Sequence, residues 1–264
     1  MPVELDPQSH YQMPVAFGPS VLPAQTAYTD VEIVSISWHT ERGAVSALVP
    51  SGLELPDSPV VTLSRMSYSG VDYLGGRPYE ELTVGISVSY AGTGRPVRGQ
   101  TMPVVWIDDG LALIVGRELL GYAKLPAVIP AVERHGDGLE YSVYEYDAPL
   151  LRGSVNGLER LDDPALARLR RATQRTTVFG WKYVPALGGG ADAEYLTQIA
   201  LSFDVVEGWS GHGDFTWECP DDRAAPFSAR IAETMSAVPV VGMRPAFVGH
   251  GPGRLYRLEA QRLS

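Results

Sequence analysis

Residues 81–90 read ELTVGISVSY. That run decides the fold because the chain keeps repeating its kind: a short extended stretch rich in β-branched residues and punctuated by Gly or Pro. Working outward, residues 60–68 and 31–38 lie on its N-terminal side, and 104–107, 139–146, 176–184 and 195–206 on its C-terminal side, each rich in Val, Ile, Thr, Tyr or Trp. Together they predict a mainly antiparallel β architecture within the α+β class. Helical signals are few. Residues 44–49 and 115–122 are short candidates, and the clearest helix starts at Asp162 and Asp163, with Pro164 in its first turn, and runs through ALARLRRATQ.

The basic face of that helix, Arg168, Arg170 and Arg171, has nothing apolar or aromatic interleaved with it and reads as a solvated surface. The cluster LGGGAD at 187–192 predicts a hairpin turn, and GHGPG at 249–253 a flexible loop. Neither is long enough to part domains and no internal repeat is present, so a single domain over 1–264 is expected, with 1–13 as a loose N-terminal arm.

Bulk composition narrows the function. At 264 residues, 45% hydrophobic and 20% charged, the chain is an ordinary globular protein with enough material for a sizeable core. A net charge of −10 argues against nucleic acid or an anionic membrane surface as a partner and leaves small molecules. Cys219 is the only cysteine, which excludes an intramolecular disulfide, a CxxC redox pair and a cysteine-rich zinc site. With no leader-like segment and no run long enough to span a bilayer, a cytoplasmic protein is expected. His10, His39, His135, His212 and His250 are scattered without HxH or HExxH spacing, so no metal is expected. Ser210, in GWSGH, lacks the second Gly of a nucleophile elbow and reads as a turn. No glycine-rich phosphate loop follows a strand, so no nucleotide or other cofactor is expected either.

The basic residues are oddly chosen. Of 21, only Lys124 and Lys182 are lysine. Arginine cannot give up its proton to become an amine nucleophile, so a chain that has nearly dispensed with lysine invites a question about each one it keeps. Lys124 sits in IVGRELLGYAKLPA, residues 114–127, with apolar sequence before and after it. Burial disfavours the ammonium form of a lysine, and this is one route to an imine-forming amine near neutral pH. The bland alternative is a lysine snorkelling at an amphipathic edge. Lys182 alternates with apolar residues in a strand and reads as an edge or interface residue.

The segment GRELLGYAKL, residues 116–125, resembles the active-site signature of the acetoacetate decarboxylase-like superfamily. PVAFGP at 14–19, PSGLEL at 50–55, YEE at 79–81, IDDGLALIVGRE at 107–118, FGWKYVP at 179–185 and VEGWSG at 206–211 resemble the same family in order and spacing. The resemblance implies a partly closed β-barrel of that type with a few helices, a homo-oligomer, and imine chemistry on a keto acid without a cofactor. Carried over residue by residue, it makes Lys124 the imine-forming lysine and Glu81 the active-site glutamate.

This chain departs from the family pattern at several positions. Leu125 stands where the family has a second lysine, Ala123 where it has proline, and residues 30–32 offer no base where it has an arginine. An acidic family position falls near Ser64, beside Arg65. These departures remove groups that acetoacetate decarboxylation would use, and turn the expectation toward the aldolase-dehydratase branch. There, a pyruvate-like keto acid forms an enamine on Lys124, condenses with an aldehyde co-substrate and loses water. Decarboxylation of a β-keto acid is the alternative, and a non-catalytic keto-acid or hydrophobic-ligand binding protein is the alternative from another class. The route needs an acid and base beside the imine. Glu81 and Tyr256, whose phenol could protonate a departing hydroxyl, are the expected catalytic partners of Lys124, with Arg117, Tyr79 and Tyr122 as substrate-binding residues. Arg117 would reach the lysine by sharing its face if the helix continues that far.

Overall fold

The structure is a computed structural model that describes residues 4–92 and 94–263. Its strands are β1 Thr26–His39, β2 Val60–Ser69, β3 Tyr79–Tyr90, β4 Val97–Ile107, β5 Lys124–Pro126, β6 Glu133–His135, β7 Gly138–Glu145, β8 Ala148–Arg160, β9 Thr176–Pro185, β10 Ala191–Phe203, β11 Glu207–Trp217, β12 Gly242–Met243 and β13 Ala246–Arg262. Among the described residues four α-helices interrupt them: α1 Arg42–Val45, α2 Gly110–Val115, α3 Asp163–Thr173 and α4 Ala229–Ser236. The α+β class with predominant antiparallel strands is as the sequence indicated.

Strands β1, β2, β3, β4, β9, β10 and β13 follow one another by hydrogen bonding, and β13 also pairs with β1, so that they close into a ring. All neighbours in it are antiparallel except β4 and β9, which run parallel at Gln100↔Val178 and Thr101↔Phe179. From β13 the sheet continues outward through β11, β8, β7 and β6.

Side chains alternate along β1, β2 and β3, giving this wall two faces. On the outer face, Val34, Ile36, Leu63, Leu82 and Val84 pack with Tyr141, Val143, Leu151 and Val155 of the β7–β8 extension in the larger apolar core. On the inner face, Val31, Tyr68 and Tyr79 belong to a second core inside the ring with Leu120, Tyr122, Val178, Ile199, Phe203 and Leu255. Arg65 lies on the outer face, almost wholly buried, with Nη2 2.8 Å from Glu80 Oε2 and 3.1 Å from the carbonyl of Pro130. Burial pulls the guanidinium of Arg65 down, Glu80 opposing it, and pushes the Glu80 carboxyl up against Ser67 and Arg65.

The helices are short and locally specified. Asp162 caps α3 by accepting from the backbone of Ala165 at 2.8 Å, with a proline in the first turn. Asp109 caps α2 by accepting from Ala112 at 2.7 Å. Helix α4 anchors to the ring where Trp106 Nε1 donates to Ser228 Oγ at 2.9 Å. The expected helix at 115–122 starts earlier, at Gly110, and passes into a π-helical turn over Gly116–Leu120.

Two loop expectations give way to strand. GHGPG lies inside β13, and Ser210 lies inside β11. Glycine there serves close approach: a Cβ at Gly251 would collide with the carbonyl oxygen of Asp204, between β10 and β11, and one at Gly211, next to Ser210, would lie 2.7 Å from the carbonyl oxygen of Asn156 in β8. LGGGAD forms the β9–β10 hairpin connection as expected. Residues 4–13 of the N-terminal segment form neither strand nor helix, and residues 1–3 lie outside the described residues. Among the described residues no helix is long and apolar enough to cross a membrane.

Candidate active site

The inner face of β1–β3 is a grid whose rows are set by strand register. Ser35, Ser64 and Thr83 form one row, Ile33, Met66 and Glu81 the next, and Val31, Tyr68 and Tyr79 the third. All nine line a cavity of about 240 Å³ inside the ring. Lys124 enters it from β5, which runs parallel to β4 with Lys124 opposite Val105. Its Nζ lies 2.9 Å from Glu81 Oε2, and both side chains are buried. Thr83 Oγ1 donates to the other carboxylate oxygen, Oε1, at 3.2 Å. An aromatic wall stands beside the pair, with Tyr28, Tyr68 and Tyr79 ring centroids 4.7 and 4.5 Å apart in succession and Lys124 Nζ 5.6 Å from the Tyr79 ring.

Local chain geometry aims the lysine. The π-helical turn brings Gly116 against its methylenes, so close that a Cβ there would lie 2.7 Å from both Cδ and Cε. The chain reverses at Gly121, Tyr122 N donates to Gly116 O at 3.0 Å, and Lys124 N donates to Tyr122 O at 2.8 Å. Arg117 sits outside the cavity, exposed, and its Nη1 donates to the backbone oxygen of Lys124 at 2.8 Å. The helix ends at Leu120, so Arg117 and Lys124 do not share a helical face. Arg117 holds the strand that carries Lys124 and is not placed to touch a ligand in the cavity. Lys182 donates to the backbone oxygen of Glu118 and so fastens the same turn from β9.

Of the other expected residues, Tyr79 and Tyr122 line the cavity and Tyr256 does not. Tyr256 instead shares a hydrogen bond with Ser202 Oγ at 3.1 Å, beneath the guanidinium of Arg175. Tyr122 is notable because its hydroxyl is buried and has no partner among the described residues. Burial pushes the phenols of Tyr28, Tyr68, Tyr73, Tyr79 and Tyr122 up, and the charge of Glu81 adds to the effect at each, so all five remain O–H donors. Sequence reasoning missed Tyr28, Tyr68, Tyr73, Thr83 and the role of Gly116; for Thr83, two residues beyond Glu81 on one strand, the signal was strand periodicity.

The departures from the family pattern take on a physical meaning here. Leu125 faces away from the cavity and packs against the larger core. In this chain a cation at position 125 would not stand beside Lys124 Nζ. Residues 30–32 bring no cation to the cavity: Glu32 pairs with Arg134, and Asp30 lies 3.4 Å from His250 Nδ1. Ser64 Oγ hydrogen-bonds Ser35 Oγ at 3.1 Å. Besides Lys124, the basic side chains in the cavity lining are Arg254, which is exposed, and Arg257, which donates to the backbone oxygens of Pro23 and Leu22, each at 2.9 Å. Among the described residues no group of three or more His, Cys, Asp or Glu side chains is placed to hold a metal ion.

A buried lysine paired with a carboxylate inside an apolar ring is equipment for amine-based carbonyl chemistry of the lyase class. Residues 12–243 match the family model for acetoacetate decarboxylase, and the chain belongs to that family. A curated relative, Decarboxylase DEC1 of Cochliobolus heterostrophus, is 29% identical over 80% of this chain and 81% of its own length. Among solved structures, an acetoacetate decarboxylase superposes with a TM-score of 0.74 at 19% identity, covering 94% of this chain and 93% of that one. The enduracididine biosynthesis enzyme MppR, in complex with pyruvate, superposes with a TM-score of 0.70 at 16% identity and 97% coverage of both chains. Homologues and fold neighbours together define a lyase.

Proposed function

We propose that the protein decarboxylates a β-keto acid through an imine on Lys124. The observation that carries this is the buried 2.9 Å Lys124–Glu81 pair set in the cavity inside the ring. Proton transfer from Nζ to Oε2 yields the amine nucleophile and, in the same motion, an acid. Attack on the ketone and loss of water, with the Glu81 proton leaving on the carbinolamine hydroxyl, gives the iminium. The iminium draws in the electron pair released when the C–C bond to the carboxylate breaks. Carbon dioxide departs, an enamine remains, and uptake of one proton at carbon followed by hydrolysis returns the ketone and free Lys124. The free hydroxyl of Tyr122 supplies a donor for the oxygen that changes charge in these steps.

The sequence leaned toward aldol condensation with dehydration, because the cationic partners of the acetoacetate reaction are missing. Charge balance in the cavity supports the other branch. A pyruvate-like substrate keeps its carboxylate through every step, so that charge and Glu81 would share the single cation on Lys124 in a buried site, a costly arrangement. In decarboxylation the carboxylate is the group that leaves, so its poor accommodation falls on the ground state and is relieved on the way to the enamine. The test is to incubate the protein with acetoacetate and borohydride, locate the adduct by mass spectrometry, and measure carbon dioxide release in parallel. An adduct on Lys124 with catalytic carbon dioxide release is expected. An adduct with pyruvate, accompanied by a conjugated product with an aldehyde and no carbon dioxide from any β-keto acid, would return the aldolase reading.

A further inference from the structure

The cavity is lopsided about the reactive pair. On one side of the Glu81 row lie the hydroxyls of Ser35 and Ser64, hydrogen-bonded to each other, with Thr83 bound to Glu81 and Gln100 nearby in the lining. On the other side the lining is mainly aromatic and aliphatic and continues far beyond the reaction centre, through Val31, Tyr68, Tyr28, Phe203, Leu201 and Leu255, with the polar Thr26, Thr176, Ser202 and Arg257 alongside. Register fixes the order: Val31 faces Tyr68, Tyr28 faces Gly253, which faces Phe203, and Thr26 faces Leu255, which faces Leu201. From Ile33, in the row of Glu81, to Thr26 is seven residues of β1, roughly 20 Å of strand. This apolar side ends at a mouth where Thr176 and Arg254 are exposed.

We propose that the preferred substrate is a 3-oxo acid with an extended apolar acyl tail, its carboxylate toward Ser35 and Ser64 and its tail along the Val31–Leu255 side toward the mouth. The assignment rests on the imine reading above. It answers a question that reading leaves open: what holds a carboxylate-bearing substrate in a site whose lysine is already paired with Glu81. Binding energy from a remote, unreactive part of a substrate can offset desolvation at the reacting centre. The methyl group of acetoacetate has almost no surface for this, whereas a tail of several methylenes fills the apolar side. The reaction is R–CO–CH2–COO⁻ + H⁺ → R–CO–CH3 + CO2. The bond between the α-carbon and the carboxylate breaks, its electron pair passes into the enamine, and the proton taken up ends on the new methyl group. The hydroxyls of Ser35 and Ser64 can donate to the departing carboxylate without neutralising it, which leaves the drive to lose carbon dioxide intact.

The experiment compares kcat/KM for carbon dioxide release from acetoacetate and from 3-oxooctanoate, with borohydride trapping on Lys124 for each. The longer acid carries four more methylenes. At about 0.8 kcal/mol per buried methylene the ceiling is a preference of about 200-fold, and a preference of at least about tenfold is expected. Leu201→Trp, which puts bulk into the half-buried tail side, should reduce that ratio by about tenfold or more. The wild-type ratio decides even if the variant folds poorly. Equal or better turnover of acetoacetate, with both acids trapped on Lys124, would overturn the tail assignment and leave the imine reading standing. Absence of a Lys124 adduct with either acid would overturn both.

Discussion

Gly116→Ala should separate activity from stability in this protein. Gly116 has helical backbone angles, φ −63° and ψ −42°, which alanine adopts freely, so the substitution adds one methyl group and no backbone strain. That methyl would lie 2.7 Å from Cδ and Cε of Lys124, where ordinary carbon–carbon contact is about 3.5–4.0 Å. The lysine must therefore give way by roughly 1 Å. Glu81 stands 2.9 Å from its Nζ, so the retreat comes at the expense of that pair. A displacement of about 1 Å at a reacting group can cost on the order of 100-fold in rate, and we expect kcat/KM for carbon dioxide release and the rate of borohydride trapping to fall together by that order. Stability should barely move: overpacking costs about 1–3 kcal/mol, while alanine gains about 0.5–1 kcal/mol over glycine in a helix. The net, about 1 kcal/mol, corresponds to a Tm change of roughly 2–4 °C by calorimetry. Gly110→Ala, on the same helix but with nothing within 4 Å of the added carbon, is the control and should behave as wild type. A folded Gly116→Ala protein that traps substrate as fast as wild type would refute the claim that this contact aims the lysine.

Four other outcomes follow from the same geometry. Lys124→Ala should abolish borohydride-trappable adduct while the chain stays folded, and an adduct on Lys182 in that variant would move the nucleophile elsewhere. Glu81→Gln keeps the shape but cannot receive the ammonium proton, so kcat should drop by about 10²–10⁴, read by carbon dioxide release; unchanged kcat would remove Glu81 from the proton path. The Tyr122 phenol, raised first by burial and then by Glu81, keeps its proton at pH values where an unfolded tyrosine, with pKa about 10, has lost it. Its contribution is complete below pH 10 and is lost as pH rises, by up to about 1.4 kcal/mol per pH unit. Tyr122→Phe should flatten the alkaline fall in urea midpoint between pH 9 and 11, and an identical fall in both proteins would contradict the burial of that hydroxyl. Glu80→Gln leaves the guanidinium of Arg65 buried without its partner and should cost about 3 kcal/mol, so a Tm within about 1 °C of wild type would show that the outer-face pair contributes little.

The chemistry-bearing positions were partly legible and their surroundings much less so. Lys124 and Glu81 could be singled out because each lies in a distinctive segment, but their meeting depends on β5 joining β4 in parallel, a pairing of three residues that no local pattern announces. Tyr256 looked suitable by chemistry, yet which face of β13 it takes follows from register with β10 and β1, fixed across the ring rather than by neighbours in sequence. Arg117 was expected to share a helical face with Lys124, and the chain leaves the helix after Leu120 before that spacing can operate. β13 escaped notice over GHGPG because glycine weakens every strand signal, although close approach of neighbouring backbones is what those glycines allow. Leu125, read as the loss of a cationic neighbour, lies on the opposite side of β5 from the amine and bears on core packing instead.

The two-faced wall of β1–β3 constrains how such a protein can diverge. Cavity and core are written in alternate positions of the same three strands, with Ser64 and Met66 inward and Leu63 and Arg65 outward. Substitutions at inward positions can redraw what the cavity accepts while the outward residues hold the sandwich in register. A single-residue insertion or deletion within β2 would do the opposite, exchanging the faces and swinging the Arg65 guanidinium into the chamber that holds Lys124. Length changes are therefore tolerable at the strand ends and loops, and the cavity can be reshaped by replacement, two residues apart, along strands whose spacing is kept.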